Sequence, residues 1–460
     1  MSALSPARKA ALALVSECRR RDGRIRDIAR ESKALEGLSP EDRALAMRLS
    51  VGSVAASAVL SGILSELVKR SSSLEPRVRD ALLVGTFEAC YLDTPGAVSA
   101  SQGVELVRSV APRAAGMANA VLRRVVTEVR PQVVSARRRC EKALSQGEFG
   151  PVTQRDLELV SGLPAWLVGR IMAEREDDPS GVCGFSLGNL EQAPVYVAVN
   201  RAAHTPDELE RILLANGMEP REVAGTDAFV LGAPQGLYRS GLVDGCDLVV
   251  ADLSAQRACA LAAPKPGERI LEVGQGRGTK SVLLESLALA GGGFAEVVGV
   301  DSIASKVRVA SRRMTRAGLS EHVRCVELDA TRLADDRLPD ALDGVFDLVF
   351  VDAPCSGTGT MRRHPEIASR LTPQDVSELA ELQLRILTAA ASRVAMGGRI
   401  AYATCSVLSE ENQRVVKAFL ESDAGRGFGC VAELPNDLPG MAVPEGNSPD
   451  GHFCAVLCRD

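Results

Sequence analysis

The sequence lacks the features that mark membrane-spanning, secreted or zinc-binding proteins. No apolar run approaches the roughly 18 residues that a membrane span needs, and the apolar stretch near the N-terminus is too short and too soon charged for a secretory signal. The 12 cysteines include no C-x-x-C pair, and only four histidines are present. We therefore expect a cytoplasmic protein with reduced thiols, no metal and no membrane partner.

Charge is distributed unevenly along the 460 residues. The net charge is −5, yet residues 1–140 carry 23 Lys and Arg against 14 Asp and Glu, whereas the remaining 320 residues carry 31 against 45. A basic front on an acidic body is typical of a protein that docks a polyanion with one part and handles a small ligand with another. A solvated, arginine-rich helical surface would account for the same charges.

Three segments with different periodicity divide the chain. Residues 1–145 place apolar residues three and four apart, as in "VRDALLVGTFEACYL", which predicts an all-α domain. Residues 146–252 combine extended runs with a capped helix that starts after Thr205, which predicts a small α+β module. In residues 253–460, apolar strands such as "RILEVG" and "FDLVFVDAP" alternate with helices. This alternation predicts βαβ units and a mostly parallel sheet with ligands beyond its carboxyl edge.

A glycine-rich turn, "LEVGQGRGTK", follows the first strand of this sheet. Its glycines let the backbone come close to a ligand, although such a turn alone would suit NAD equally well. Asp301 and Asp329 end the next two strands, where they are placed to meet a ribose and an adenine edge, and this favours S-adenosylmethionine. Either acid is alternatively only a helix cap. The predicted cofactor-binding residues are Gly274, Gln275, Gly276, Arg277, Gly278, Thr279, Lys280, Asp301, Asp329 and Asp352.

Two cysteines follow the fourth and fifth strands, so that Cys355 and Cys405 should meet in one crevice. A thiolate is a strong carbon nucleophile, and C5 of cytosine reacts only after a nucleophile has added at C6. Asp352, three residues before Cys355, is within reach to hydrogen-bond or protonate N3 of the base. One thiol would attack and the other would serve release. The predicted catalytic residues are therefore Cys405, Cys355 and Asp352.

The motifs "DAPCSGTGTMRRHPE" and "YATCSVLSEENQ" resemble motifs IV and VI of the RNA cytosine-5 methyltransferases, and "DGHFCAVL" is similar to their terminal strand. The front segments "ACYLDTPGAVSASQGVELVR" and "MANAVLRRVV" resemble the NusB-type domain of the bacterial 16S ribosomal RNA members, the RsmB, Sun and Fmu type. The resemblance implies a NusB-like domain in 1–145, an RRM-like module in 146–252 and a Rossmann-like methyltransferase domain in 253–460.

The same resemblance implies a function and a division of roles. The enzyme would methylate C5 of a cytidine in 16S ribosomal RNA, as a monomer, with S-adenosylmethionine. The nucleophile of the family carries over to Cys405, and the cysteine that assists release carries over to Cys355; the reverse assignment is the alternative. One motif departs from the family, because the usual C-A-A-P-G-G-K is here "GQGRGTK", which alters the contacts at Gln275 and Arg277.

Two rival functions follow from the same residues. A non-catalytic RNA-binding or ribosome assembly factor would keep the fold but lose turnover through the altered glycine turn. A nicotinamide-dependent oxidoreductase would use the same crevice, although it gives the two cysteines no role. Three further residues, Arg362, Arg363 and His364, either hold the RNA backbone or belong to a solvated loop. Lys280 either positions Asp352 or only starts a helix.

Overall fold

The computed structural model describes residues 4–68, 74–434, 438–439 and 448–460. By its packing the chain forms two compact units. The first holds the described residues of Met1–Gln192, Thr360–Leu371 and Leu438–Gly446, and the second holds those of Ala193–Gly359, Thr372–Asp437 and Asn447–Asp460. The segment Thr360–Leu371, which follows Cys355, therefore belongs to the first unit, whereas Cys355 and Cys405 lie in the second. The division into three domains stays a prediction.

The first unit is helical over its described residues. Several helices begin with a proline in the first turn, where a missing backbone N–H costs nothing. The helices are α1 (Pro6–Arg21), α2 (Ile25–Glu31), α3 (Pro40–Ala55), α4 (Ser57–Leu67), α5 (Pro76–Tyr91), α6 (Gly96–Val110), α7 (Ala115–Arg124), α8 (Arg130–Gln146), α9 (Gln154–Ser161), α10 (Ala165–Glu174) and α11 (Pro179–Gly188). This confirms the predicted all-α front domain.

Within the described part of the chain, no single helix is long and apolar enough to cross a membrane, whereas α3 and α4, bent by 77° against each other, pass that test only as a pair.

The second unit begins with a small antiparallel sheet. Four strands lie in the order β2-β3-β1-β4, and a helix whose cap matches the sequence prediction packs with them. The Thr205 side chain accepts a hydrogen bond from the Glu208 backbone, and the Glu208 side chain accepts one from Thr205 in return. The elements are β1 (Tyr196–Val199), α12 (Pro206–Ala215), β2 (Pro220–Glu222), β3 (Ala228–Leu231), α13 (Leu242–Gly245) and β4 (Leu248–Val250).

A larger sheet of seven strands follows, and it confirms the predicted Rossmann-like class. Its order is β10-β11-β9-β8-β5-β6-β7. The five strands from β9 to β7 are parallel, and at the other edge β11 pairs antiparallel with both β9 and β10. Its elements are α14 (Leu253–Leu261), β5 (Arg269–Val273), α15 (Thr279–Ala290), β6 (Glu296–Asp301), α16 (Ala304–Arg316), β7 (Val323–Glu327), β8 (Phe346–Asp352), α18 (Pro373–Ala391), β9 (Val394–Thr404), α19 (Gln413–Leu420), β10 (Phe428–Leu434) and β11 (Phe453–Arg459); the short α17 (Ile367–Arg370) belongs to the first unit.

The register of the parallel strands sets the position of the site. Val273 of β5 pairs with Val351 of β8, and Asp352 pairs with Ala403 of β9. Alternating side chains of these strands enter two apolar cores, one on each face of the sheet. The residues that come directly after each strand are therefore brought to one edge, beyond the carboxyl ends, as the sequence predicts.

Candidate active site

The glycine turn runs from the end of β5 to the start of α15 and lies against the end of β8. The backbone N–H groups of Gly274 and Gln275 both donate to the Val300 carbonyl at 2.9 Å. Gly274 has a φ of +80°, and a Cβ there would lie 2.3 Å from the carbonyl oxygen of Asp352. Only glycine allows both this backbone conformation and this close approach.

The middle of the turn has open space beside it. A Cβ on Gly276 would meet no atom nearer than 3.8 Å. The neighbouring Arg277 is exposed, and its carbonyl accepts a hydrogen bond from Arg313 at 3.2 Å. The same guanidinium donates to the Thr279 hydroxyl at 2.7 Å, which ties the start of α15 to α16. The turn is thus held from one side and leaves the backbone at Gly276 accessible.

The side chain of Gln275 does not face the open side of the turn. It is 3 % exposed, its Nε2 donates to the Ser281 hydroxyl at 3.0 Å, and a Cβ on Gly299 would lie 2.1 Å from that nitrogen. Ser281 in turn donates to the buried Glu272 at 2.5 Å. Burial raises the pKa of Glu272 to about 8. For Gln275, only the backbone is left to make the predicted cofactor contact.

The two acids predicted to bind the nucleoside differ in their surroundings. Asp301 is 8 % exposed and accepts hydrogen bonds from the backbone of Gly276 at 3.0 Å and of Ile303 at 2.9 Å. Asp329 is exposed and accepts from the backbone of Thr331 at 3.0 Å and from its hydroxyl at 2.8 Å, so that it caps a short helical turn. The structure therefore brings Asp301 to the glycine turn, whereas Asp329 lies one strand further along the edge.

Lys280 and Asp352 form an ion pair beside the glycine turn. The Lys280 Nζ lies 2.6 Å from Asp352 Oδ2. Burial alone would lower the pKa of Lys280, but the adjacent Asp352 carboxylate outweighs it and the pKa is raised. Of the two roles that the sequence left open for Lys280, the contact supports the positioning of Asp352.

Cys355 and Cys405 meet as the strand order predicts. Their sulfurs are 3.3 Å apart, and the Cys405 backbone N–H donates to the Cys355 sulfur at 3.3 Å. Both are unbridged and half-buried. The hydrogen bond to the Cys405 sulfur, burial, and the negative charges of Cys405 and Glu411 raise the pKa of the Cys355 thiol well above its usual value. At neutral pH the Cys355 thiol is therefore protonated.

A buried polar cluster next to the thiols was missed at the level of sequence. It contains Ser356, Gln383, Ser406, Glu411 and Asn412, each less than a tenth exposed. The signal was present, because "YATCSVLSEENQ" contains three of these residues directly after the second cysteine. Only the cysteine of that motif was given a role, since polar residues after a strand usually indicate a solvated loop.

The basic residues after Cys355 are placed in the first unit. Arg362 is only 7 % exposed, and the carbonyls of Arg362 and Arg363 accept hydrogen bonds from Arg26 at 3.3 and 3.1 Å. Burial and the neighbouring arginines lower the pKa of His364 to about 4. These contacts give the segment a structural role within the helical unit, which a solvated loop would not have. Among the described residues, no cluster of three potential metal ligands occurs.

Comparison with known proteins follows the same division of the chain. Residues 259–457 match the family model described as 16S rRNA methyltransferase RsmB/F, and residues 5–127 match the NusB family. The ribosomal RNA small subunit methyltransferase B of Escherichia coli O127:H6 is 30 % identical over 428 residues, which cover 92 % of each chain. The protein of the same description from Shigella sonnei is 29 % identical over the same coverage.

Solved structures share the fold over most of the chain. The crystal structure of PH0851 has a TM-score of 0.74 and 20 % identity, and the match covers 99 % of each chain. A methyltransferase homolog protein from Pyrococcus horikoshii has a TM-score of 0.54 and 19 % identity, and the match covers 67 % of this chain and 99 % of that one. At these identities the likeness establishes the architecture.

Proposed function

The chain belongs to the 16S rRNA methyltransferase RsmB/F family, and from this membership we propose that it methylates C5 of a cytidine in 16S ribosomal RNA through a covalent bond between Cys405 and C6. One observation carries the proposal, namely the 3.3 Å contact between the Cys355 and Cys405 sulfurs at the edge of the sheet that also holds the Lys280–Asp352 pair and the glycine turn. We also propose that the protein acts as a cytoplasmic monomer.

The residues at the glycine turn fit S-adenosylmethionine, which supplies the methyl group when bound. The backbone at Gly276 has room beside it, and each Asp301 oxygen, which already accepts one backbone hydrogen bond, has a second acceptor site for a ribose hydroxyl. Gly274 lies against Asp352, the partner of Lys280, whereas Gly278 lies against Met314 and Ala310 of α16. Among proteins of this fold, NSun6 from Pyrococcus horikoshii was crystallised with SFG; it has a TM-score of 0.50 and 16 % identity.

The two thiols have different roles in this proposal. Cys405 attacks C6 as a thiolate, favoured by the nearby Lys280 ammonium. In this proposal the Lys280–Asp352 pair supplies a hydrogen bond or a proton to N3 of the base. The attack brings one electron pair into the ring, shared between C5 and N3, and a proton at N3 then leaves an enamine that is nucleophilic at C5.

The release step follows from the causes of the raised Cys355 pKa. Its largest cause is the hydrogen bond that Cys355 makes to the Cys405 sulfur. Once Cys405 is bonded to carbon it carries no charge, so this cause is lost and Cys355 can give its proton to solvent. The Cys355 thiolate then takes the C5 proton of the methylated base, and the Cys405–C6 bond breaks as the C5–C6 double bond reforms.

The NusB-family segment, 5–127, overlaps the basic front of the chain, which we propose contacts the phosphates of ribosomal RNA. The thiols have to reach C5 and C6 from outside the plane of the pyrimidine ring. A stacked, paired cytosine does not allow this, so the target base must be unstacked or flipped.

Methyl transfer to a defined RNA tests the proposal. The purified chain is incubated with a 16S rRNA transcript and S-adenosylmethionine labelled in its methyl group, and the RNA is digested to nucleosides. We expect label in 5-methylcytidine, and bisulfite sequencing of 16S rRNA from a strain lacking the protein should show the position. Label in another nucleoside would overturn the C5 assignment. Cofactor-independent RNA binding without any incorporation would favour the non-catalytic assembly factor.

A further inference from the structure

Glu411 has more hydrogen-bond donors around its side chain than a surface glutamate finds. The residue is fully buried. Its Oε1 accepts from the Ser356 backbone N–H at 2.7 Å and from Gln383 Nε2 at 3.0 Å. Its Oε2 accepts from the hydroxyl of Ser406 at 2.5 Å and from that of Ser356. Four donors match the roughly four acceptor sites of a carboxylate.

Three of these donors come from the two cysteine turns, which are the segments that directly follow β8 and β9 and carry Cys355 and Cys405. Ser356 directly follows Cys355, and Ser406 directly follows Cys405, so that one carboxylate joins the residue after each thiol. Further contacts run alongside this link. The Thr358 and Ser406 hydroxyls lie 3.1 Å apart, and the Gly359 N–H donates to the Cys405 carbonyl at 2.9 Å.

The neighbouring residues hold Glu411 itself in place. Tyr402, on β9, donates its hydroxyl to the Glu411 carbonyl at 2.6 Å. The Asn412 side chain accepts from the Thr404 hydroxyl at 2.5 Å and donates to the Ser406 carbonyl at 2.9 Å. Backbone and side chains are therefore both tied to β9 and to the residues that directly follow it.

The cost of burying this carboxylate indicates that it does more than fill the core. Taking a charge out of water costs several kcal/mol, and well-packed apolar residues often replace buried charges without loss of stability. An apolar side chain could not accept a hydrogen bond from both turns. Such a link can hold catalytic groups in position, and a misplacement of a catalytic group by about 1 Å can lower the rate about 10²-fold.

We propose that Glu411 is a positioning residue that locks the two cysteine turns together and so keeps the Cys355 and Cys405 sulfurs in contact. The proposal deepens the methyltransferase function and rests on it for its effect on turnover. Glu411 also adds negative charge beside Cys355, which helps that thiol stay protonated while Cys405 attacks.

Two substitutions separate the link from the charge. Glu411→Leu removes both, whereas Glu411→Gln keeps the size and can keep the link, because its amide can donate to the two serine hydroxyls while its oxygen still accepts from the Ser356 N–H and Gln383. Glu410→Gln is the matched control, since Glu410 is the adjacent glutamate, is half-buried, and accepts a hydrogen bond from Ser377.

The main readout does not need catalysis. Each variant is treated with iodoacetamide over a range of pH, and mass spectrometry gives the rate at which the Cys355 and Cys405 thiolates displace iodide. In the unmodified protein and in Glu410→Gln we expect Cys405 to react faster than Cys355 near neutral pH, because the pKa of the Cys355 thiol is raised. In Glu411→Gln the Cys355 profile should move to lower pH. In Glu411→Leu the preference should be lost.

Methylation of the 16S rRNA transcript is the second readout. We expect it to fall about tenfold in Glu411→Gln and about 10²-fold in Glu411→Leu, with unchanged affinity for S-adenosylmethionine. Thiol profiles and turnover equal to those of Glu410→Gln would overturn the proposal. If Glu411→Leu does not fold, as circular dichroism would show, Ser406→Ala takes its place. An inactive unmodified protein would contradict the proposed function, while the thiol profiles would still decide the role of Glu411.

Discussion

Two buried glutamates lie behind the two halves of the site, and they differ in what surrounds them. Glu272 supports the glycine turn and Glu411 supports the cysteine turns, and both are fully buried. Glu272 has one side-chain donor, Ser281, and its Oε1 has no hydrogen-bond partner within the described part of the chain. Glu411 has four donors.

The difference shows two ways in which a buried carboxyl group supports a turn. Burial outweighs the single Ser281 hydrogen bond and raises the pKa of Glu272 to about 8, so that Glu272 is mostly a neutral acid at physiological pH. It therefore packs under the cofactor side without imposing a charge there. Glu411 contributes differently, because its hydrogen bonds connect the residues that directly follow Cys355 and Cys405. The following predictions test this contrast.

The largest effect is expected at the cysteine turns, from Cys405→Ala. Methylation of the 16S rRNA transcript should fall to background, a loss of about 10³-fold or more, because no other thiol at the sheet edge occupies the attacking position. RNA binding, measured by filter retention, and affinity for S-adenosylmethionine should remain. Cys430→Ala, which removes an exposed cysteine of β10, is the control and should keep full activity. A turning-over Cys405→Ala enzyme would make Cys355 the nucleophile.

Cys355→Ala should separate attack from release at the same turns. We expect overall turnover to fall by about 10²-fold, since the base that removes the C5 proton is missing, and a covalent protein–RNA species to accumulate. That species is seen as a denaturation-resistant band on a gel, and it should disappear in the Cys355→Ala, Cys405→Ala double variant. Free turnover of Cys355→Ala without the band would contradict its role in release.

Glu272→Gln should change the pH dependence of stability on the glycine side. The pKa of Glu272 is about 8 when folded and 4.5 ordinarily, so the folded state keeps a proton that the unfolded chain has released. Its contribution is complete below about pH 4.5 and declines as the pH rises to about 8, by up to about 5 kcal/mol. Gln has no such proton to lose. Urea unfolding at several pH values should therefore show a flatter profile for the variant.

Glu285 provides a matched comparison for this measurement. It is also buried, and its pKa is raised to about 7, but it accepts from Ala295 and lies away from the glycine turn. Glu285→Gln should flatten the stability profile less than Glu272→Gln does, and only up to about pH 7. Identical profiles for the unmodified protein and Glu272→Gln would show that Glu272 is ionised in the folded state.

Much of this fold follows from periodicity, because βαβ alternation leaves few topologies open. The adjacency of the strands that precede Cys355 and Cys405 was predicted as well, and with it the meeting of the two cysteines. The assignment of the segment after Cys355 did not follow. Its charges, Arg362 to His364, suggest a solvated or RNA-bound loop, yet the chain returns there to the helical unit, a long-range contact that no local pattern encodes.

The roles of the polar residues behind the site were also out of reach of local patterns. Glu411 and Gln275 look like ordinary loop residues in the sequence, and only the packing of neighbouring strands shows that both are buried. For Gln275 the deciding neighbour is Gly299, 24 positions further along, whose missing side chain makes room for it. A single sequence gives no reason to connect the two.

The smallest and most specific effect is expected from this pair. Gly299→Ala places a Cβ 2.1 Å from Gln275 Nε2 and should lower the free energy of unfolding by about 1–3 kcal/mol. Gln275→Ala loses the hydrogen bond to Ser281 and should cost about 1 kcal/mol. In the double variant the clash is gone, so the cost should be at least about 1 kcal/mol less than the sum, as urea unfolding would show.

A second glycine, Gly429, serves as the control for this coupling. A Cβ on Gly429, in β10, would meet no atom within 4 Å, so Gly429→Ala should be nearly neutral and additive with Gln275→Ala. The residue that the related enzymes usually carry at the position of Gln275 is alanine, which needs no gap in the next strand. If Gln275→Ala couples energetically to Gly299→Ala but not to Gly429→Ala, then the glutamine that replaces the alanine of "C-A-A-P-G-G-K" packs into the sheet and not toward the cofactor. If the free-energy costs of Gln275→Ala and of each glycine substitution simply add, Gln275 does not pack against Gly299 and can face the cofactor.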